Sequence, residues 1–101
     1  MDVWTWGGKY FGYFEGKALF TYDGKHVGLR DGDEIYDEQG NYLGEVRGDR
    51  LITSNAKSSW RSFGFVRSMK RIPQVPVVRY IGNVMQAGHR DFPDPEDFNS
   101  A

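Results

Sequence analysis

Four oxygen-bearing side chains recur sixteen residues apart: Thr5, Thr21, Asp37 and, after them, Thr53. In a closed ring of repeats that spacing brings four polar groups to related places near one rim, an arrangement suited to a small ligand or to an enzymatic site. The plainer use of a strand threonine is a hydrogen bond to the neighbouring strand or to water, and that use is the one expected here. Tyr10, His26 and Tyr42 follow the same spacing. His26 therefore reads as a polar-tipped aromatic within a repeat and not as a metal ligand. His89 stands far from it, in GHRDFPDPEDF, which reads as loop. The chain contains no cysteine, so thiolate chemistry and disulfides are both absent. Neither a GxSxG nucleophile nor a phosphate-binding GxxxxGK[ST] run occurs. The acidic pairs Asp33-Glu34 and Asp37-Glu38 fall beside turns, where solvated carboxylates are the rule. No catalytic residue, metal site or cofactor is expected.

The cations are unevenly placed. Residues 1–50 hold ten acidic and six basic side chains, residues 51–90 hold seven basic and no acidic ones, and residues 91–101 hold four acidic ones. Arg61, Arg67, Lys70 and Arg71 are the candidates for a face that meets an anion. A net charge of −1 argues against strong nucleic-acid binding, which needs several uncompensated cations against phosphates. No run approaches the ~18 apolar residues of a membrane span, and the chain opens without a secretory pattern. A cytoplasmic protein with no membrane partner is expected.

These side chains depend on a repeat for their placement. GKYFGYFEG, GKHVGLRDG and GNYLGEVRG begin at Gly8, Gly24 and Gly40, and Leu19, Ile35 and Leu51 keep the same register, with Val3 one unit earlier. Sixteen residues accommodate two strands of about six and two turns of about two, with no room for a helix. The units are hairpins joined in an antiparallel meander, and Asp-Gly dipeptides at the reversals suit type I′ turns. A looser fourth unit starts at SFGFVRS if about four residues are inserted in the stretch 54–61, an estimate from hairpin length. Pairing residues 3–6 with residues 63–66 then closes an all-β, approximately fourfold ring of about eight short strands, without exposed edges. Gly12, Gly28, Gly44 and Gly64 fall in mid-strand, where glycine signals a bend or a close approach. Val3, Leu19, Ile35 and Leu51 with Phe11, Val27, Leu43 and Phe63 are the expected core.

The motifs GKYFGYFEGKALF, GKHVGLRDGDEIY and GNYLGEVRGDRLI resemble the fourfold β-flower family, a bacterial domain without an assigned activity. MKRIPQVPVV is similar to a shortened form of that family's basic, proline-containing tail. A weaker resemblance links GDEIYDEQGNYLGEV to one hairpin of the PRC-barrel family. The resemblance implies a fold, and no catalytic residues come with it. The chain divides into a repeat domain, residues 1–68, and a segment of residues 69–101 that begins basic and ends acidic. The aromatic class Trp4, Phe20 and Tyr36 with Tyr10 and Tyr42 reads either as a second buried layer or as an exposed binding platform, and Pro73 and Pro76 favour an extended course that could lie over it as a lid. In the tail, Phe92 and Phe98 are expected to insert in apolar grooves while Asp91, Asp94, Glu96 and Asp97 meet the basic segment, of this molecule or of a neighbouring copy. The function expected is a non-catalytic binding module with a protein partner or a second copy; a ligand site at the polar rim and weak anion binding through the basic segment are the alternatives.

Overall fold

In the computed structural model, which describes residues 1–77 and 80–98, the chain reverses where glycine takes a left-handed conformation. Gly16, Gly32 and Gly48 have φ of 60°, 64° and 65°, and among the described residues no other residue type has a positive φ. The two-residue loops are thus Gly16-Lys17, Gly32-Asp33 and Gly48-Asp49, closed by the pairs Glu15 with Ala18, Asp31 with Glu34 and Arg47 with Arg50. Glycine in first place is the type II′ pattern. The expected type I′ turn does not form, because it needs positive φ at both central residues. Between units the loop has three residues. Thr21 N–H donates to the Lys25 carbonyl and Gly24 N–H to the Thr21 carbonyl, and the loops at Gly8 and Gly40 repeat the pattern.

These reversals separate β1 (Asp2–Thr5), β2 (Tyr10–Glu15), β3 (Ala18–Thr21), β4 (His26–Asp31), β5 (Glu34–Tyr36), β6 (Tyr42–Arg47) and β7 (Arg50–Ser54). Neighbours in the chain pair antiparallel, and β1 pairs with β7 in parallel through Trp4 with Arg50 and Thr5 with Leu51, which closes the barrel. The closure is as expected but the closing pair is not. Residues 63–66 form no strand, and Phe63 is 91% exposed instead of buried. The stretch that needed an insertion is where the chain leaves the wall: a 3-10 turn at Asn55–Lys57 carries it outward. Its place beside β7 is taken by β8 (His89–Asp91), antiparallel through Ile52 with Asp91, Thr53 with Arg90 and Ser54 with His89.

The interior is filled by Val3, Phe11, Leu19, Ile35 and Leu51, all fully buried, with Val27 and Val46 beside them. The first strand of each unit bulges, since Val3 faces Gly12 while Trp4 faces Tyr10, and the same slip recurs at Leu19/Phe20 and Ile35/Tyr36. A bulge bends its strand and strengthens its twist, which curls each hairpin into the wall. The glycine beside it is a matter of space: a Cβ on Gly28 would lie 2.8 Å from Ile35 Cγ2, and one on Gly44 would collide with the Phe92 ring. Gly64 is not mid-strand but passes close against the Glu38 carbonyl.

The tail docks within the same molecule. Phe92 is buried edge-to-face on Phe11, with centroids 5.2 Å apart, and Phe98 approaches the same ring at 5.9 Å. Its carboxylates meet the inter-unit loops, not the basic segment as expected. Glu96 accepts from Lys9 Nζ at 2.7 Å and from the Tyr22 hydroxyl at 3.0 Å. The reason is position: the tail plugs the barrel mouth, while the basic segment runs along the outer wall.

Candidate functional site

Outward from the core, each unit turns a second set of rings to the outer wall. Trp4, Phe20 and Tyr36 with Tyr10, His26 and Tyr42 are all buried. What buries them is the extended chain of residues 58–77 and 80–88, a strap that passes round the barrel. Tyr80 stacks on Trp4 at 4.1 Å, Phe65 on His26 at 4.3 Å, and the Arg71 guanidinium lies 4.8 Å over Phe20.

The strap is fastened at every third residue from Ser62 to Gln74, and again at Tyr80 and Asn83. The N–H groups of Ser62, Arg71 and Tyr80 donate to the carbonyls of Gly40, Gly24 and Gly8, at 2.9, 2.7 and 3.0 Å. Those of Phe65, Gln74 and Asn83 donate to Glu38, Tyr22 and Trp6, at 3.2, 2.6 and 3.0 Å. Ser68 N–H completes the row at 3.0 Å, donating to His26 Nδ1. Nine residues of strap therefore serve sixteen of barrel. At the polyproline rise, nine residues cover about 28 Å, close to a quarter of the circumference of a body 36 Å across. A three-residue helical period returns the same backbone face to the wall three times per quarter, and on that row Ser62, Phe65, Ser68 and Arg71 are half-buried.

The next row points away. Phe63, Val66, Met69, Ile72, Val75, Ile81 and Val84 are each between 84% and 93% exposed. The remaining row, with Gly64, Arg67, Lys70 and Gly82, leans toward the inter-unit loops: Gly64 and Gly82 approach Glu38 and Gly7, and Arg67 pairs with Glu38 at 3.1 Å.

The four recurring oxygens are not brought together. Thr5 Oγ1 accepts from Lys9 N–H at 3.1 Å, Thr21 Oγ1 from Lys25 N–H at 3.3 Å, and Asp37 Oδ1 from Gln39 and Asn41 N–H at 3.0 and 2.8 Å. Thr53 donates to the Leu43 carbonyl at 2.6 Å. Each braces its own loop or strand. Tyr10 donates to Asp2 at 2.9 Å, and burial, then Asp2, pushes its hydroxyl above the usual tyrosine range. The Tyr42 hydroxyl accepts from Ser54 N–H at 3.0 Å and is likewise raised by burial. His26 is held below the ordinary imidazole range, first by burial and then by Arg67 and Arg71, against the Gly28 carbonyl and Glu38.

The strap cations are spread along the wall. Arg71 forms a fork with Glu15, both contacts at 3.2 Å, Arg67 pairs with Glu38, and Arg61 donates to the Trp60 carbonyl at 2.9 Å. Lys70 borders an open hollow of about 570 Å³ with Asp23, Lys25, His26, Arg67 and Ser68. Among the described residues no group of three or more metal-binding side chains converges, and no helix is long and apolar enough to cross a membrane. The exposed row was missed in the sequence although its signal is plain: large apolar residues every third position from Phe63 through Val78 to Val84, with Pro73 and Pro76 among them.

A closed barrel of hairpin repeats, plugged by its tail and girdled by its own chain, defines an all-β domain of approximate fourfold symmetry. The chain belongs to the 4-fold beta flower protein family, whose model matches residues 2–87. That match takes in the barrel and the strap and ends before β8 and the plug. No curated protein and no solved structure matches the chain.

Proposed function

We propose that the protein is a non-catalytic interaction module and that the strap's exposed row is its binding surface. The observation that carries this reading is the row itself. Seven large apolar side chains stand 84–93% exposed in a single row, where a soluble monomer ordinarily exposes such residues singly. The row adds nothing to the barrel's own core, and among the described residues its members recur every third position from Phe63 to Val75 and again at Ile81 and Val84. The polar groups that a catalytic reading would use are committed to loops, which supports binding over chemistry.

The test is a variant with Val66→Ser, Ile72→Ser and Ile81→Ser. Its melting temperature should match that of the parent, because these side chains are exposed. In a native extract of the source organism, the parent at its natural level should elute in an assembly larger than one chain and the variant as a monomer. A parent that elutes as a bare monomer, or a variant that co-elutes with it, overturns the reading.

A further inference from the structure

The exposed row lies on a curve, and the curve restricts what can cover it. Gly40, Gly24 and Gly8 belong to successive inter-unit loops, so the strap turns through about half the circumference between Ser62 and Tyr80, by the same 28 Å quarter-turns at the polyproline rise. Phe63 and Ile81 consequently lie on opposite sides of the molecule. Neighbouring members of the row are about 9 Å apart at that rise. A flat bilayer, or a second copy with the same convex wall, meets such a row along a tangent and covers only two or three members, by that spacing. A flexible chain can follow the whole bend.

Charge restricts the occupant further. The sequence has no aspartate or glutamate between Asp49 and Asp91. Arg61 is satisfied by backbone carbonyls, and no ion pair joins Lys70 to a carboxylate among the described residues. Both cations flank the half of the row that holds Phe63, Val66 and Met69. Asp31 lies beside Arg61 and Phe63, whereas the hollow beside Lys70 sets Lys25, Arg67 and Lys70 against Asp23 and is net basic, so an acidic side chain is favoured at the Lys70 end.

We infer that the strap docks an extended polypeptide segment of another protein, one in which apolar side chains alternate with carboxylates, laid along the exposed row. This rests on the interaction reading given above and names its partner class. Extended segments of this kind recur as ligands because their side chains project at a fixed pitch. Here the pitch is set by the strap. Apolar side chains of the ligand pack between successive members of the row, and its carboxylates face the Lys70 end. The strap itself is already fastened to the wall, so ordering costs fall on the ligand alone.

The experiment uses a phage-displayed library of random 16-residue peptides, selected on the full chain, with the Val66→Ser, Ile72→Ser, Ile81→Ser variant as counter-selection. Enriched peptides should carry aspartate or glutamate among valine, isoleucine, leucine or phenylalanine, and should bind the variant at least tenfold more weakly. Lys70→Glu, which leaves the apolar row intact, should weaken them about threefold at low salt and less at high salt. No enrichment, peptides indifferent to the row, or a preference for basic peptides overturns the inference. Two controls separate it from the reading beneath it: sedimentation of the chain alone, and flotation with phosphatidylglycerol vesicles. If no peptide is selected while the row drives self-association or vesicle binding, the segment is wrong and the row is still a binding surface. If the row variant matches the parent in all three measurements, both fall.

Discussion

His26 stands where the other units place tyrosine, and the difference matters to the strap. Its Nδ1 accepts from Ser68 N–H at 3.0 Å, which leaves the proton on Nε2, 2.9 Å from the Gly28 carbonyl. A second proton would set two donors face to face, between rings of Phe20 and Phe65. Because the folded pKa lies below the unfolded value, the unfolded chain binds more protons in that window. Stability should be full above about pH 6.5 and fall as the pH drops through that value toward the folded pKa. Thermal melts from pH 8 to pH 5 should show this slope in the parent and a shallower one in His26→Phe; equal slopes would remove the linkage. Asp91 acts at a second single point. Its Oδ1 accepts from Trp6 N–H at 2.9 Å and its Oδ2 from Gly7 N–H at 3.0 Å, tying β8 to the end of β1. Trp6 N–H keeps its bond to the Leu51 carbonyl and Gly7 N–H is open to water, so Asp91→Ala should cost only the net worth of the lost bonds, about 1 kcal/mol in denaturant unfolding.

At the scale of elements, the two kinds of glycine turn should respond differently to the same change. Gly16 has a left-handed φ and nothing within 4 Å of an added Cβ, so Gly16→Ala should cost only the backbone term, about 1–2 kcal/mol. Gly24 adds to its φ of 87° a strap carbonyl, that of Arg71, directly in the path of the new atom. Gly24→Ala should cost more and should loosen the strap, seen as faster amide exchange at Arg71 and Gln74. Equal costs with an unchanged strap would mean that the glycine serves the turn alone. The hairpins were legible because glycine, which alone here tolerates left-handed φ, recurs at fixed spacing. The turn type was not, because a Glu-Gly or Asp-Gly pair leaves open whether glycine ends the loop or begins it. β8 carries no pattern of its own: HRD becomes a strand only because β7 has an unpaired far half.

For the whole molecule, closure depends on β1, whose Val3 is fully buried and whose Thr5 faces Leu51 across the parallel seam. Deleting residues 1–6 should unfold the barrel cooperatively, and an unchanged melting temperature would show that the seam is dispensable. The existence of a closed ring and its core of Val3, Leu19, Ile35 and Leu51 could be read from the sixteen-residue register, whereas the closing pair of β1 with β7 and the burial of the aromatic class could not. The exposed row could not either, because Phe63 continues that register by type while the chain at that point has already left the wall. A three-residue period belongs to an extended helix and is invisible to a search for hairpins. The strap shows one row of its backbone to the barrel and leaves the adjacent row bare. Residue-resolved amide exchange measures this directly. Slow exchange is predicted at Ser62, Phe65, Ser68, Arg71, Gln74, Tyr80 and Asn83, with fast exchange at Val66, Arg67, Met69 and Lys70 between them. Uniformly fast exchange along the strap, or protection that alternates every second residue as in a strand, would contradict it.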